Sequence, residues 1–116
     1  MNISVAELCG PICVDPEDGA RLFEETVRAI VRGESVCLDF AGVSTLTSSF
    51  LNTAIGCLYG RFSADNLAAR LSWIGLDETD ESVLRLVRDN AIRFFKVSPD
   101  QRQQLAAAAS HPFEHA

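Results

Sequence analysis

The stretch that decides the fold is VCLDFAGVSTLTSSFLNTAIGCLYGRF, residues 36–62. It begins inside a continuous apolar run, residues 35–40, which Gly42 closes and which lies between two helical segments; such a run is typical of a central strand covered on both faces. An apolar stripe with helical spacing then extends from Leu51 to Phe62. The adjacent Ser48 and Ser49 separate the two patterns. We therefore expect a strand, a loop that carries two hydroxyls, and a long amphipathic helix.

The segment before this stretch, DPEDGARLFEETVRAIVRG, predicts a second helix. Asp15 is suited to the N-cap, and Pro16 fits the first helical position because its missing N–H has no partner there. Apolar residues recur with helical spacing, and Gly33 supplies the C-terminal stop. Further upstream, Gly10-Pro11 is a turn signal, so residues 3–9 and 12–14 are expected to pair as a β-hairpin.

Downstream, ARLSWIGL (residues 69–76) reads as a strand, and VLRLVRDNAIRFFKV (residues 83–97) as a helix. The acidic run DETDES between them could bind a divalent cation, but we expect a solvated loop that caps the helix. Ser98-Pro99-Asp100-Gln101 forms a capping box that opens a last helix, and residues 111–116 read as a frayed tail. The element order predicts one α/β domain over residues 1–110, with about four helices on a small, mostly parallel or mixed sheet of about four strands.

Composition limits the classes of function. A net charge of −6 disfavours nucleic acid as a ligand, because its phosphates would be repelled. No apolar run is long enough for a membrane span and no signal-peptide pattern opens the chain, so we expect a cytoplasmic protein without a membrane partner. The four cysteines do not suggest a disulfide framework in a domain of this core size, and Cys37 and Cys57 are expected to act as small buried apolar residues.

Motifs for catalysis are missing from the sequence. It contains no nucleophile elbow, no phosphate-binding loop and no dinucleotide fingerprint, and both histidines lie in the terminal tail. Cys9 and Cys13, with His111 and His115, match zinc ligands in type and spacing, but they lie at opposite ends of the chain and Pro112 distorts the second pair. We therefore expect a protein that is not an enzyme and that has no metal site and no cofactor.

The hydroxyls before the third helix have two interpretations. Thr47 or Ser48 is expected to be the N-cap, which accounts for one hydroxyl without any function. The N–H groups at a helix N-terminus also favour negative charge, so Ser49 is a candidate phosphoacceptor. A phosphate there would add about −1.5 to −2 charges to a neutral surface.

The same residues resemble a known family. An apolar strand, an Asp-apolar pair and Ser-Ser at a helix start resemble the STAS domains of anti-sigma factor antagonists. A closer resemblance is to a STAS-like family of uncharacterised function with the hallmark DFxGVxxxxxSF. The hallmark positions in this chain are Asp39, Phe40, Gly42, Val43, Ser49 and Phe50. The resemblance implies a STAS-like fold across about the whole chain.

The resemblance to the antagonists also implies a function. In those proteins the second serine is phosphorylated by a histidine-kinase-like ATPase that is also an anti-sigma factor, and the unmodified domain binds that partner. Carried over, Ser49 would be the phosphoacceptor of a regulatory protein-binding module. The implied partner-binding surface consists of Thr47, Ser48, Phe50, Asn52, Thr53 and Gly56. This sequence departs from the antagonist pattern in having Thr47 in place of Asp and Phe50 in place of Gly.

Two further expectations concern ligands and assembly. The alternative function is a small-ligand or anion sensor, or a scaffolding domain, that is not phosphorylated. A mixed sheet leaves an edge strand that could pair with a second copy, so a homodimer is compatible with the sequence.

Overall fold

A computed structural model of the chain describes residues 1–96. Within that range the chain forms five strands and five α-helices. In chain order these are β1 (Asn2–Ser4), α1 (Val5–Cys9), β2 (Ile12–Cys13), α2 (Pro16–Val31), β3 (Val36–Asp39), β4 (Thr45–Leu46), α3 (Ser48–Ala54), a 3₁₀ helix (Gly56–Gly60), α4 (Ala64–Arg70), β5 (Leu71–Ile74) and α5 (Glu78–Lys96). The last helix and the tail that the sequence predicts lie outside the described residues.

Two parallel sheets organise the domain. The larger sheet has the order β1-β3-β5, and the smaller one pairs β2 with β4. Parallel pairing is possible because each crossover between neighbouring strands of the larger sheet contains helices. The predicted α/β class and the central position of β3 are confirmed. The prediction of about four strands in a mostly parallel or mixed sheet is compatible with the five strands found within residues 1–96, which form two parallel sheets rather than one.

The predicted N-terminal hairpin is wrong. Only the first part of residues 3–9 is extended, as β1, and the rest forms α1. Ser4 caps this short helix, because its hydroxyl accepts a hydrogen bond from the Glu7 N–H at 3.3 Å. Gly10, with φ +84°, donates its N–H to the Ala6 carbonyl and ends the helix. The Gly10-Pro11 signal therefore marks a helix C-terminus rather than a hairpin turn.

Helix α2 forms as its local signals predict. The Asp15 side chain accepts a hydrogen bond from the Glu17 N–H at 3.0 Å, and Pro16 occupies the first helical position. The helix ends before Gly33, which has φ +85°. Its buried face packs against α3 and α1.

The helix that follows the two serines is shorter than predicted. The apolar stripe is buried as expected, but α3 ends at Ala54 and the chain continues as a 3₁₀ helix. Gly60 lies at the end of this segment, where a Cβ atom would be 2.7 Å from the Phe95 ring of α5. Close packing against α5 therefore requires glycine at position 60, and glycine disfavours a continuous α-helix. The short α4 that comes next was not predicted.

The acidic run between β5 and α5 belongs mainly to the helix. Asp77 precedes α5, and its side chain accepts a hydrogen bond from the Asp80 N–H at 2.7 Å. The capping function predicted for this run is therefore confirmed, but residues 78–82 are helical rather than a loop. No helix within residues 1–96 has both the length and the apolar character needed to cross a membrane.

Candidate functional site

The first half of the hallmark motif forms a closed turn at the carboxyl end of β3. The Asp39 Oδ1 atom accepts a hydrogen bond from the Ala41 N–H at 2.9 Å, and the Val43 N–H donates to the Phe40 carbonyl at 3.0 Å. Gly42 supplies the positive φ, +88°, that such a turn requires. Phe40 is buried in the core. These four motif residues thus shape the backbone.

A second glycine packs directly on this turn. Gly75 follows β5 with φ +83°, and a Cβ atom there would be 2.7 Å from the Ala41 nitrogen and 3.0 Å from the Asp39 Oδ1 atom. The Phe40 N–H also donates to the Ile74 carbonyl at 2.9 Å. The turn is therefore held from β5 by backbone contacts that leave no room for a side chain.

The small sheet fixes where α3 begins. The Ser44 and Thr45 N–H groups both donate to the Pro11 carbonyl, and the Thr47 N–H donates to the Cys13 carbonyl at 3.2 Å. Leu46 packs against the core from the inner face of this ribbon. As a result, the start of α3 lies beside the segment that leads into α2.

The N-cap of α3 is Thr47, one of the two residues predicted for that position. Its Oγ1 atom accepts a hydrogen bond from the Phe50 N–H at 3.2 Å. Ser48 and Ser49 are both exposed, and neither hydroxyl has a hydrogen-bond partner within residues 1–96. The cap thus requires neither serine, and both hydroxyls face solvent at the first turn of the helix.

The remaining residues of the predicted partner-binding surface are buried within the domain. Phe50 is fully buried, while Asn52 and Thr53 are 6% and 8% exposed. Gly56 is buried as well. This part of the prediction is corrected: Phe50, Asn52, Thr53 and Gly56 are packed inside the domain rather than presented on its surface. Thr47 is partly exposed and Ser48 is exposed.

The small residues on α3 have a different explanation. Gly19 of α2 lies so close to α3 that a Cβ atom would be 2.9 Å from the Phe50 carbonyl oxygen and 3.1 Å from the Thr53 Cβ. A helix face without charge is thus needed for close packing of α2 on α3, and it is not evidence for an external partner. Sequence reasoning could not identify the neighbour of this face.

One polar atom on α3 is unsatisfied. The Asn52 Oδ1 atom is buried and has no hydrogen-bond partner among residues 1–96. Leaving a buried acceptor unpaired costs about 1–3 kcal/mol. The residue lies one helical turn after Ser48, below the exposed hydroxyls, and the sequence pattern carries no signal for it.

Of the two cysteines near the N-terminus, Cys9 is partly buried and Cys13 is buried. The Cys9 thiol donates to the Asp18 carbonyl at 3.3 Å, and the Cys13 thiol donates to the Gly10 carbonyl at 3.4 Å. Burial, followed by the nearby Cys13 and Asp18, raises the pKa of Cys9 to about 11. Burial also raises the pKa of Cys57. All four cysteines are free thiols.

The zinc alternative involves residues that the structure describes only in part. His111 and His115, the second pair of candidate ligands, lie outside the described residues. Among residues 1–96 there is no group of three or more histidine, cysteine, aspartate or glutamate side chains that could hold a metal ion.

A cavity between α4, β5 and α5 was missed by sequence reasoning. It has a volume of about 480 Å³, and its walls include the rings of Tyr59 and Trp73 and the charged pair Arg88 and Asp89. Arg88 Nε lies 3.1 Å from the Asp89 Oδ1 atom. The pKa of the Tyr59 hydroxyl is raised, mainly because the group is buried. The charge of Arg88 lowers this pKa and the charge of Asp89 raises it. The cavity could not be predicted from the sequence, because one of the elements that line it, α4, was not predicted.

Comparison with known proteins identifies a family but no individual relative. A search of curated proteins and a search of solved structures both found no match. The family model described as a STAS-like domain of unknown function (DUF4325) matches residues 18–81, which is more than half of the chain. The matched region runs from the first turn of α2 into the first turns of α5 and includes the turn after β3 and the exposed serines. The chain therefore belongs to the family of STAS-like domains of unknown function.

Proposed function

We propose that this domain is a non-enzymatic regulatory module that binds a protein partner at the start of α3, and that modification of Ser49 changes the affinity. The observation that carries the proposal is the exposed Ser49 hydroxyl in the first turn of α3, where Thr47 already provides the cap. A hydroxyl that the fold does not use is available to a kinase. The resemblance to anti-sigma factor antagonists suggests a histidine-kinase-like ATPase or an anti-sigma factor as the partner.

The physical basis of such a switch is the change in charge. Thr47, Ser48 and Ser49 are neutral, and a phosphate on Ser49 would add about −1.5 to −2 charges at pH 7. Backbone N–H groups at the beginning of a helix favour an anion in this place. The modified residue is exposed, so its charge would act on the partner rather than on the core.

Mass spectrometry of the protein from its native host tests the modification. Trypsin releases residues 33–61 as one peptide, because no lysine or arginine lies between Arg32 and Arg61. Fragmentation must then separate Ser49 from the neighbouring hydroxyls. We expect a phosphate on Ser49 under growth or under stress. A peptide that stays unmodified under both conditions would contradict a phosphorylation switch.

Binding measurements test the effect on the partner. Proteins captured from the host by the wild-type chain are compared with those captured by Ser49→Ala and Ser49→Asp, and the recovered partner is purified for titration. Ser48→Ala and Ser48→Asp are matched controls, because Ser48 is also exposed and its hydroxyl also has no structural partner within residues 1–96. We expect Ser49→Asp to change the Kd about tenfold, and more than Ser48→Asp does. Equal binding by both Ser49 variants and the wild type would rule out the switch.

The cavity beside Trp73 favours a second candidate, a small-ligand sensor. Aromatic rings and an arginine are suited to a nucleotide, whose base can stack and whose phosphate can accept hydrogen bonds. Trp73 is the only tryptophan and Tyr59 the only tyrosine of the chain, so intrinsic fluorescence reports directly on this cavity. Titration with mononucleotides should quench Trp73 emission, and Arg88→Gln should weaken the effect. Unchanged emission at millimolar nucleotide would exclude this candidate.

A further inference from the structure

Two large apolar side chains, Ile12 of β2 and Val14 directly after it, are exposed beside the β2–β4 ribbon. Cys13 of β2 is buried in the core, whereas Ile12 before it and Val14, which directly follows β2, are 56% and 42% exposed. The exposed Thr45 lies opposite Ile12 in the register of the ribbon. Six large apolar side chains are exposed within residues 1–96, and Ile12 and Val14 are the only two of them that lie two residues apart in the chain.

This ribbon face is continuous with the start of α3. Thr47, the N-cap of α3, donates its N–H to the Cys13 carbonyl. Val14 is the next residue after Cys13. Further along, Gly19 lies against Phe50 and Thr53. The two segments 13–19 and 47–53 therefore run side by side, which brings the end of β2 close to the first turn of α3, where Ser48 and Ser49 are exposed.

The border of this surface is acidic. Asp15 and Glu17 are exposed and form no ion pair within residues 1–96, whereas Asp18 is paired with Arg21. The chain as a whole carries a net charge of −6. Apolar side chains bordered by unpaired carboxylates are complementary to an apolar patch bordered by lysine or arginine.

We propose that the outer face of the ribbon, formed by Ile12, Val14 and Thr45 and bordered by Asp15 and Glu17, is the docking surface for a protein partner that presents an apolar patch flanked by basic side chains. This inference rests on the proposed function, because it names the surface and the partner chemistry of the same module. In this proposal the ribbon face supplies the apolar part of the contact, in place of the α3 residues that the sequence predicted and that are buried.

The charge of the partner sets the direction of the switch. A phosphate on Ser49 would join Asp15 and Glu17 on one negative surface, and no lysine or arginine within residues 1–96 forms an ion pair with either carboxylate. A basic partner would then bind the modified form more tightly. Ser49→Asp is therefore expected to lower the Kd, whereas in the antagonists that the sequence resembles the unmodified form is the one that binds.

The apolar contribution is tested by paired substitutions in the full chain. Ile12→Ser with Val14→Ser removes the exposed apolar atoms of the ribbon. Val31→Ser with Leu86→Ser is the matched control, since these side chains are 67% and 58% exposed elsewhere on the domain. All variants are checked for an unchanged thermal midpoint before they are used to capture proteins from the host. The ribbon variant should bind the purified partner at least about tenfold more weakly, and the control should bind like the wild type.

The electrostatic contribution is tested in the same way. Asp15→Asn with Glu17→Gln removes both charges, and asparagine preserves the N-cap of α2. Asp65→Asn with Glu78→Gln is the control, because these acidic residues lie in the first turns of α4 and α5. Removing the charges at positions 15 and 17 should weaken binding roughly three- to tenfold, and added salt should weaken the wild-type complex in the same direction.

The outcomes separate this inference from the proposed function. If the ribbon variant binds the partner like the wild type while Ser49→Asp changes the Kd, the module stands and the ribbon surface is wrong. If the ribbon variant loses binding while both Ser49 variants bind normally, the surface stands and the switch is wrong. Self-association of the wild type that the ribbon variant abolishes would assign the surface to a second copy and overturn the inference. A wild-type chain that captures no protein counts against both.

Discussion

The two halves of the hallmark motif differ in what the fold does with them. Asp39, Phe40, Gly42 and Val43 form a turn that the fold uses: the Asp39 carboxylate accepts a backbone hydrogen bond and the Phe40 ring is buried. Gly75, directly after β5, packs so closely on this turn that it has no room for a Cβ atom. Ser49, in the second half, and its neighbour Ser48 have exposed hydroxyls with no partner within residues 1–96. One motif thus combines residues that build the domain with residues that the domain leaves free.

This difference changes how the motif should be used. Its first half identifies the fold, since an Asx-type turn with a positive φ at Gly42 needs those residue types. Its second half contains Phe50, which belongs to the core, next to Ser49, which belongs to the surface. The function of the family therefore has to be sought in the exposed positions, and substitutions can measure where the boundary lies.

The largest effect is expected at the boundary itself. Phe50→Ala should lower the free energy of unfolding by about 3–5 kcal/mol, because it removes a fully buried ring. Ser49→Ala, one residue away, should change it by less than about 0.5 kcal/mol. Urea unfolding followed by far-UV circular dichroism measures both. Similar losses in the two variants would show that Ser49 is part of the structure.

The next effect tests the closed turn after β3. Gly75→Ala should destabilise the domain by about 2–5 kcal/mol, since alanine must adopt φ +83° and its Cβ would overlap the Ala41 nitrogen. Gly33→Ala is the control, because Gly33 has a similar φ, +85°, and nothing lies within 4 Å of its Cβ position. That variant should lose only about 1–2 kcal/mol. Equal losses would mean that the packing on the turn contributes nothing.

A smaller effect separates the cap from the serines. Thr47→Ala should cost about 1 kcal/mol of unfolding free energy, because the Phe50 N–H loses its acceptor. Thr47→Ser should retain most of that stability, and Ser48→Ala should be nearly neutral. The same urea titration compares the three variants. If Ser48→Ala were destabilising and Thr47→Ala were not, the N-cap would be Ser48 rather than Thr47.

The last prediction concerns Cys9, which is expected to affect stability least at neutral pH and whose raised pKa is therefore tested by its reactivity. Its pKa of about 11 keeps the thiol protonated at pH 8, so its alkylation by iodoacetamide should be roughly a hundredfold slower than that of an unperturbed cysteine. The raised pKa also fixes the sign of a pH effect. The stability it contributes is fully present below pH 9 and is lost as the pH rises towards 11. Peptide-resolved alkylation rates between pH 7 and pH 10 check the shift, and a fast reaction at neutral pH would contradict it.

Local signals predicted those parts of the fold that local interactions determine. Asp15, Pro16 and Gly33 bound α2 as expected, because a cap, a fixed φ and a positive φ act within one turn of the chain. The turn signal at Gly10-Pro11 was real, but the partner of β1 is β3, and no local pattern specifies a strand more than thirty residues away. The missed α4 and the early end of α3 depend on packing against α5 and β5.

The candidate site was predicted only in part for the same reason. Thr47 was one of two residues expected at the cap, and the exposed serines were correctly placed at a helix start. The small face of α3 suggested an external partner because its neighbour, Gly19 of α2, cannot be inferred from the sequence of α3. Burial of Asn52, Thr53 and Gly56 is a property of the assembled domain.

The order β1-β3-β5 of the larger sheet has a consequence for synthesis on the ribosome. The central strand β3 leaves the exit tunnel after its first neighbour, but its other edge stays unpaired until residues 71–74 of β5 have been made. At a translation rate of about 5–20 residues per second, an apolar edge is exposed for seconds. An unpaired edge of this kind can associate with another nascent chain or recruit a chaperone. Mutations that delay the pairing of β5 with β3 should therefore reduce the yield of soluble protein more than their effect on equilibrium stability suggests.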